Sequence, residues 1–407
     1  MQITAINQKS YAVMTENQSA LLEIEAFLAD NYELRRNVLS GKTEVRRIKA
    51  NEGSEEQPWK ILTQTEANSI VLHAKREGVG GKKSPKTTIM EYIGSAEVPE
   101  FNPISEYLDS LPVWNGQDHV HALFSRIPGL SEKKHDWLHT WLLSCVAHWR
   151  QLDKQHGNET VPILISERHG RGKTTFANNI LPEHLQVYYL DHINFGNKFD
   201  SEMALTHNLL VNIDEFDNFG PSHQAKLKQT LSKVKVNGRP IFGRAQEDRP
   251  RYASFIGTTN NLHPLCDGTG SRRYICVHVP GDAMIDYKTK IDYDQLYAQL
   301  CHELNEGRRY WFDETEIDQI EEANRPFYKV TDLDGMLFSC FRLPQSDEKG
   351  QWLKGSEIVE TIAKRYPEIV VNRKFQIDLG KALRLAGCEM KHTKQGQAYQ
   401  LVPILAA

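Results

Sequence analysis

The sequence of 407 residues has no closely spaced cysteine pair, no long apolar run and no strong excess of one charge. Its six cysteines stand singly, which argues against a zinc ribbon and against a disulfide framework. No apolar stretch approaches the ~18 residues of a membrane span, and the N-terminus lacks the basic and apolar parts of a secretory signal. We therefore expect a soluble, cytoplasmic protein with no membrane partner.

The length and an apolar content of 40% predict more than one folded domain. Strands that are apolar along their length predict a parallel sheet covered on both faces, hence an α/β fold. The turn Ser40-Gly41-Lys42 predicts a hairpin, and the glycine- and lysine-rich residues 75–86 predict a loop. The predicted division is an α+β domain over 1–100, a helical lead-in over 101–155, a parallel-sheet core over 156–285, a helical linker over 286–345 and a small module over 346–407.

The first motif follows a buried-strand pattern, Val161–Ser166, and precedes a predicted helix that starts near Lys173. This context is typical of a Walker A loop, whose backbone amides wrap phosphates while the lysine reaches the β- and γ-phosphates. Glu167 stands where the first glycine of that motif is expected, and the alternative is an ordinary glycine-rich turn. The candidate nucleotide-binding residues are Gly170, Arg171, Gly172, Lys173, Thr174 and Thr175.

Two acids follow the next apolar strand, residues 209–213. Asp214 at a strand end is a candidate ligand of Mg²⁺ together with the Thr174 hydroxyl, and Glu215 is a candidate for placing the attacking water. The alternative is a strand followed by a solvated turn. A separation of about 40 residues from Lys173 favours the second acidic motif of an ATPase.

Polar residues also stand at two further strand ends. Asn260 follows the apolar strand 253–257, where an amide can touch the γ-phosphate or the water. Arg272 and Arg273 precede the strand that ends at Val279, and either is a candidate arginine for a neighbouring subunit's ATP. The alternative for each arginine is a surface ion pair.

With these residues in hand, the chain resembles the virulence-associated protein E (VirE) family, primase-helicase-like proteins of mobile elements and phages related to superfamily 3 helicases. The resemblance covers roughly residues 90 to 280. It rests on Asn102-Pro103-Ile104, residues 107–112, residues 114–118, the Walker A-like loop, Asp214-Glu215, residues 257–260, and residues 267–270 leading into Arg272-Arg273.

Membership implies a P-loop NTPase core of the AAA+/ASCE-like type, ring assembly, and DNA translocation or replication initiation. It also implies the roles given above to Lys173, Thr174, Asp214, Glu215, Asn260 and Arg273. The chain departs from the family pattern at Glu167 and in the basic stretch of residues 232–240.

Basic residues crowd between the second acid and the strand before Asn260. Residues 239–251 predict a β-hairpin with its turn near residues 246–248. In superfamily 3 rings a hairpin at this position tracks the DNA backbone, and the alternative is a solvated hairpin or a subunit contact. Arg251 is an alternative for the arginine that serves the neighbouring ATP. The candidate DNA-binding residues here are Lys233, Lys235, Arg239 and Arg244.

The C-terminal module has the order of a winged helix, whose second helix enters the major groove. Helices are predicted over 354–365, with Ser356 as N-cap, and over 372–386, followed by a hairpin around Gly396. Winged helices also serve as protein-contact modules. The candidate DNA-binding residues of the second helix are Lys374, Lys381 and Arg384.

The sequence thus predicts an ATP- and Mg²⁺-dependent DNA helicase or translocase that forms a hexamer-like ring on single-stranded or forked DNA and serves replication of a mobile element or phage. Two alternatives stay open. One is an ATP-switched DNA-binding regulator or helicase loader, and the other is an ATPase of anti-phage defence.

Overall fold

The computed structural model describes residues 16–48, 57–81, 83–152, 158–193, 195–218, 221–238, 247–265, 271–328, 332–345, 348–366, 371, 373–393 and 396–404. The chain splits into two compact units. Unit 1 comprises Met1–Leu262 and Thr269–Arg325, and unit 2 comprises His263–Gly268 and Pro326–Ala407. None of the helices in the described ranges is long and apolar enough to cross a membrane. The finer five-part division stays a prediction.

The N-terminal part of unit 1 is a four-stranded sheet with three helices on one face. Its strands have the order β3-β2-β1-β4, with β1 antiparallel to β2 and parallel to β4. The hairpin predicted around Gly41 is confirmed, because β1 pairs with β2 across that turn. The elements are α1 Glu16–Asn31, β1 Tyr32–Asn37, β2 Thr43–Arg47, β3 Lys60–Ile61, α2 Gln64–Arg76, α3 Lys86–Gly94 and β4 Glu100–Phe101.

Three helices follow this sheet along the chain. They are α4 Pro103–Asp109, α5 His119–Phe124 and α6 Glu132–Trp149. The Asn102 side chain accepts hydrogen bonds from the amides of Ile104 and Ser105, so it caps α4. Helix α6 is almost wholly buried, with Trp141 and Trp149 at 0% exposure, and it packs against the main sheet. Its tryptophans therefore belong to the core of the unit.

The main sheet has five parallel strands in the order β11-β5-β10-β7-β6, which confirms the predicted parallel sheet of an α/β protein. Strands β5, β7 and β10 are buried at every residue, as a sheet covered on both faces requires. The elements are β5 Val161–Ile165, α7 Lys173–Asn178, β6 Tyr189–Leu190, α8 Lys198–His207, β7 Leu210–Ile213, α9 Pro221–Leu231, β8 Lys235–Gly238, β9 Glu247–Pro250, β10 Ser254–Thr259, β11 Tyr274–His278, α10 Tyr293–Asn305 and α11 Glu314–Asn324.

The predicted hairpin of residues 239–251 is present with different bounds. Strand β8 pairs antiparallel with β9, so that Gly238 faces Glu247 and Asn237 faces Asp248. The predicted turn at residues 246–248 is therefore wrong, because Glu247 and Asp248 are strand residues and the Asn237 amide donates to the Asp248 carboxylate across the pair (2.8 Å). The sequence prediction also overlooked α8 and α9, since weakly amphipathic helices resemble polar loops.

Unit 2 contains a small sheet in which β15 pairs with β12, β13 and β14. The two helices and the hairpin predicted here are present, while the winged-helix assignment stays a prediction. Ser356 is not the N-cap of the first helix, because that helix begins at Gly355 and the Lys354 amide donates to the Glu357 carboxylate (2.7 Å). The elements are α12 Asp332–Cys340, β12 Phe341–Arg342, β13 Gln351–Lys354, α13 Gly355–Arg365, α14 Arg373–Leu385, β14 Met390–Thr393 and β15 Gly396–Pro403.

Candidate functional site

The carboxyl ends of three neighbouring strands of the main sheet meet around one polar cleft. Strand β5 leads into residues 166–172, which we call the Gly170 loop, β7 leads into Asp214, and β10 leads into Asn260. Because β10 lies between β5 and β7, all three ends are close together. The cleft has a volume of about 230 Å³ and is lined by His169, Gly170, Arg171, Gly172, Lys173, Thr174, Thr175, Asp214, Glu215, Thr259 and Asn260.

The Gly170 loop depends on glycine at two positions. Gly170 and Gly172 adopt φ angles of +71° and +81°, a region that disfavours other residues. A Cβ on Gly172 would also lie 2.6 Å from the Tyr287 ring, so this glycine is required by packing as well as by conformation. Helix α7 starts at the next residue, Lys173, as the sequence predicted.

Glu167, the residue that departs from the Walker A pattern, is accommodated without strain. Among described residues other than glycine, positive φ occurs at Gln151 and Glu215, so Glu167 has an ordinary backbone conformation. Its side chain is exposed. Nothing at this position of the loop requires glycine.

Lys173 is 93% buried, since its relative exposure is 7%, and its ammonium points to the end of β10. The Nζ atom donates to Asn260 Oδ1 (2.8 Å) and to the Ser166 carbonyl (3.5 Å). Burial lowers the pKa of Lys173, and the nearby Asp214 carboxylate acts in the opposite direction. The amide of Asn260 also contacts His169 Nδ1 (3.1 Å), which ties the Gly170 loop to β10.

The two predicted acids occupy different environments at the end of β7. Asp214 is half-buried, and its carboxylate accepts a hydrogen bond of 2.5 Å from the Thr258 hydroxyl, which fixes its orientation. Glu215 is exposed and adopts a φ of +50°, an uncommon conformation for a residue other than glycine. Strained backbone of this kind concentrates at functional sites.

The sequence reasoning missed a segment that holds the Gly170 loop from outside, residues 280–290, which we call the Asp282 strap. Its Asp282 forms ion pairs with both Arg168 and Arg171, and the Asp282 carbonyl accepts from Arg171 (3.0 Å). The Ile285 amide donates to the Arg171 carbonyl (3.1 Å). No local sequence signal marks this strap, because its contacts reach more than a hundred residues along the chain.

Arg272 and Arg273 lie at the opposite edge of the sheet from the cleft. Strand β11 starts at Tyr274 beside Val161 and ends beside Ile165, so residues before it stand at the amino edge. Arg272 is exposed. The Arg273 side chain is only 16% exposed and pairs with Glu159 (3.7 Å).

Arg251, the alternative arginine, is 0% exposed. Its guanidinium donates to the carbonyls of Asn158 (3.2 Å) and Thr230 (3.4 Å) of the same chain, and burial lowers its pKa to about 10. The suggestion that Arg251 serves a neighbouring subunit is therefore wrong, because the side chain is enclosed by its own fold.

The candidate DNA-binding residues fall into three groups. Lys233 and Lys235 are exposed beside and within β8, and Lys381 and Arg384 are exposed on α14, where Lys381 also pairs with Asp378 (3.3 Å). Lys374 belongs to α14, but its side chain lies outside the described residues. Arg239 and Arg244 lie outside the described residues as well.

Together these features define a mixed α/β protein with a polar cleft at the carboxyl edge of a parallel sheet. The family model of the virulence-associated protein E-like domain matches residues 108–329, more than half of the 407 residues. The chain therefore belongs to the virulence-associated protein E-like family, which confirms the resemblance. A second family model, a domain of unknown function described from a B. Theta gene, matches residues 332–401.

No curated protein matches the chain. Among solved structures, the C-terminal region of NrS-1 has a TM-score of 0.45 and 12% identity, covering 94% of this chain and 98% of that one. The ORC2 protein of Aeropyrum Pernix has a TM-score of 0.23 and 12% identity, covering 72% of this chain and 95% of that one.

Proposed function

We propose that the chain is an ATPase that hydrolyses ATP at the cleft beside the Gly170 loop. The observation that carries this proposal is the convergence of Lys173, Asp214 and Asn260 from three separate strands on one cleft. A loop with Lys173 at its helix start and an acid at the end of a nearby strand are the parts that phosphoryl transfer requires. The strand β10 between β5 and β7 agrees with the ASCE-type order that the family resemblance implies.

The proposed division of labour follows from burial and contacts. Lys173, nearly buried beside Asn260, would bind the β- and γ-phosphates and compensate their charge. When ATP binds, Asn260 would exchange its present contact with Lys173 for one with the γ-phosphate. Asn260 would thereby distinguish ATP from ADP. Glu215, exposed and held in a strained conformation at the cleft, would orient the attacking water.

The cleft also suits the Mg²⁺ ion that accompanies ATP. Mg²⁺ takes oxygen ligands, and both the Thr174 hydroxyl and the oriented Asp214 carboxylate line the cleft. When bound, the ion would neutralise phosphate charge. The remaining nucleotide-binding residues, Gly170, Arg171, Gly172 and Thr175, would offer backbone amides and a hydroxyl to the phosphates.

We further propose that the chain acts as a ring, with Arg272 reaching the ATP of the neighbouring subunit. An arginine at the amino edge of the sheet cannot serve its own cleft, so its action on ATP requires a second copy. Between the two candidates, Arg272 is exposed while Arg273 is largely covered and paired with Glu159. This contrast favours Arg272 as the arginine that acts on the neighbouring ATP and a structural role for Arg273.

The proposed work of the ring is movement along DNA in replication of a mobile element or phage. The hairpin of β8 and β9, with Lys233 and Lys235 exposed at its first strand, supplies phosphate contacts without sequence readout. Arg239 and Arg244 would extend this basic surface. On α14, Lys374, Lys381 and Arg384 would add DNA contacts if unit 2 is a winged helix.

Unwinding of a forked DNA duplex tests this function. We expect the wild-type chain to separate the strands with ATP and Mg²⁺, and the Lys173→Ala variant to separate none. Lys198→Ala, on the exposed face of α8, is the matched control and should behave as wild type. ATP binding and oligomerisation without strand separation would favour the ATP-switched regulator or loader instead.

A further inference from the structure

A second glycine-rich loop lies far along the chain from the cleft. The chain between α2 and α3 contains residues 77–81 and 83–85 of the described ranges, which we call the Gly80 loop. Both helices pack with α1 on one face of the N-terminal sheet, through a core that includes Phe27, Val71 and Ile89. The loop is thus held at both ends by rigid elements, and no role in the proposed ATPase cycle uses it.

The backbone of the Gly80 loop takes conformations that only glycine adopts freely. Gly78, Gly80 and Gly81 have φ angles of +77°, +92° and +59°. Gly78 ends α2 in the usual way, since the Val79 amide donates back to the Ala74 carbonyl (3.0 Å). Helix termination does not account for Gly80 and Gly81, which turn the chain again before α3.

The two outer glycines of the loop have open surroundings, whereas Gly80 is buried. A Cβ on Gly78 or Gly81 would meet no heavy atom within 4 Å, in contrast to Gly80, whose Cβ would lie 3.2 Å from Pro85. The two outer glycines are therefore not required by packing within the chain. The Gly78 amide donates to the Lys75 carbonyl (3.2 Å), so exposed Gly81 is the position that a ligand can approach closely.

Basic side chains flank the loop on both sides. Lys75 and Arg76 end α2, Lys86 begins α3, and all three are exposed. Within the described ranges no carboxylate forms an ion pair with any of these three. The one acid within the loop, Glu77, is engaged by His73 (3.3 Å), and Glu23 of α1 accepts a hydrogen bond from the Gly80 amide (3.3 Å). Lys83 is also exposed and contacts Asn17 (3.3 Å).

The loop and its setting match a known mode of nucleic-acid binding. Gly78-Val79-Gly80-Gly81 is a Gly-x-x-Gly sequence between two helices, and in KH domains such a loop clamps the backbone of about four nucleotides. The loop belongs to a unit with the order helix, strand, strand, helix, helix, strand, in which β1 is antiparallel to β2 and parallel to β4. The short strand β3 is an addition at the sheet edge.

We propose that the N-terminal part of unit 1 is a KH-like module that binds single-stranded nucleic acid at the Gly80 loop. The exposed backbone at Gly81 and the side chains of Lys75, Arg76 and Lys86 contact the sugar-phosphate backbone. Exposed Leu72 on α2 and Met90 on α3 provide apolar surface for bases on the same two helices. This contact is independent of ATP and separate from the hairpin of β8 and β9.

A matched pair of variants at Gly81 tests whether the ligand at the loop is negatively charged. Asp and Asn have nearly the same shape and both tolerate the left-handed conformation, and position 81 has free space. Gly81→Asp places a negative charge at the loop, whereas Gly81→Asn does not. The probe is a fluorescent oligothymidylate of about 12 nucleotides, within the range of single-strand sites. Its anisotropy is measured with the full chain and no ATP, and matching arms use single-stranded RNA and duplex DNA.

We expect Gly81→Asp to weaken single-strand binding at least about fivefold and Gly81→Asn to stay within about twofold of wild type, because phosphate binding is electrostatic. The DNA and RNA arms show which strand is preferred, and duplex binding should not change. Equal affinities of the two variants would overturn the proposal. ATP hydrolysis without nucleic acid should be normal in Gly81→Asp and lost in Lys173→Ala, so this inference and the ATPase proposal fail separately.

Discussion

The two glycine-rich loops of unit 1 differ in how the rest of the chain packs against them. The Gly170 loop is braced at its helix end, where Tyr287 lies against Gly172 and Asp282 pairs with Arg168 and Arg171, while Gly170 itself is exposed. At the Gly80 loop, a Cβ on Gly78 or Gly81 would meet no heavy atom within 4 Å, while Gly80 is buried beside Pro85. A braced loop suits a small ligand of fixed shape, whereas open outer glycines suit an extended chain.

The charges around the two loops differ as well. Acids face the Gly170 loop across the cleft at Asp214 and Glu215, so that loop can take part in chemistry with a metal and a water. The exposed side chains of Lys75, Arg76 and Lys86 flank the Gly80 loop, and the Gly80 amide donates to the Glu23 carboxylate (3.3 Å). The role that we propose for this loop is limited to holding a phosphate backbone. The comparison separates a proposed site for reaction from a proposed site for binding.

The largest expected effect comes from removing the Lys173 ammonium group beside the Gly170 loop. Lys173→Ala should lower kcat for ATP hydrolysis by roughly 100-fold or more, the scale of losing a charge-stabilising donor. Steady-state hydrolysis measures it, with circular dichroism as the control for folding. A rate of hydrolysis within tenfold of wild type would show that Lys173 does not bind the phosphates as proposed.

Replacing one glycine of each loop by alanine, at Gly172 and at Gly81, tests the difference in packing between the two loops. Gly172→Ala should weaken nucleotide binding by about tenfold or more, because overpacking against Tyr287 adds to the cost of the positive φ. Gly81→Ala carries the conformational cost alone and should leave nucleotide binding unchanged. Titration with a fluorescent ADP analogue measures both. Similar affinities for the two variants would contradict the packing difference.

The Asp282 strap should produce a smaller effect. The Asp282 side chain is 73% exposed, so its ion pairs are screened and contribute on the order of 1 kcal/mol or less. Asp282→Asn should therefore raise KM for ATP by about two- to fivefold with kcat nearly unchanged, since it loosens the loop without touching the reacting atoms. Glu348→Gln, which removes a similar exposed pair with Arg342, is the control. A loss in kcat instead would give Asp282 a catalytic role.

The smallest effect is expected at Glu167. Because this residue has an ordinary backbone conformation and an exposed side chain, Glu167→Gly should change the affinity for ATP by less than about twofold. The same titration detects it. A clear gain in affinity would show that the departure from the Walker A pattern weakens the loop.

Local sequence patterns predicted the residues that the structure brings to the cleft, and the reason is topological. Lys173, Asp214 and Asn260 each follow an apolar strand, and parallel strands end at the same edge. The Asp282 strap could not be found this way, since its contacts with Arg168 and Arg171 depend on tertiary folding. The burial of Arg251 was missed for the same reason, because an arginine near basic neighbours gives the pattern of an exposed surface.

The hairpin and the Gly80 loop show two further limits. The turn between β8 and β9 was misplaced because Glu247 and Asp248 are typical turn residues, yet cross-strand pairing with Asn237 places them in a strand. The Gly80 loop was recognised as a loop. The role that we propose for it depends on how α2 and α3 pack against the sheet on either side of the loop, which only tertiary contacts establish.

The most direct test of the central claim is the rate of ATP hydrolysis with and without single-stranded DNA. We expect a measurable basal rate that single-stranded DNA stimulates, and loss of both rates in Lys173→Ala. A basal rate that no nucleic acid alters would contradict the proposed translocase while leaving the ATPase site in place. No hydrolysis and no ATP binding by the wild-type chain would contradict the account of the cleft itself.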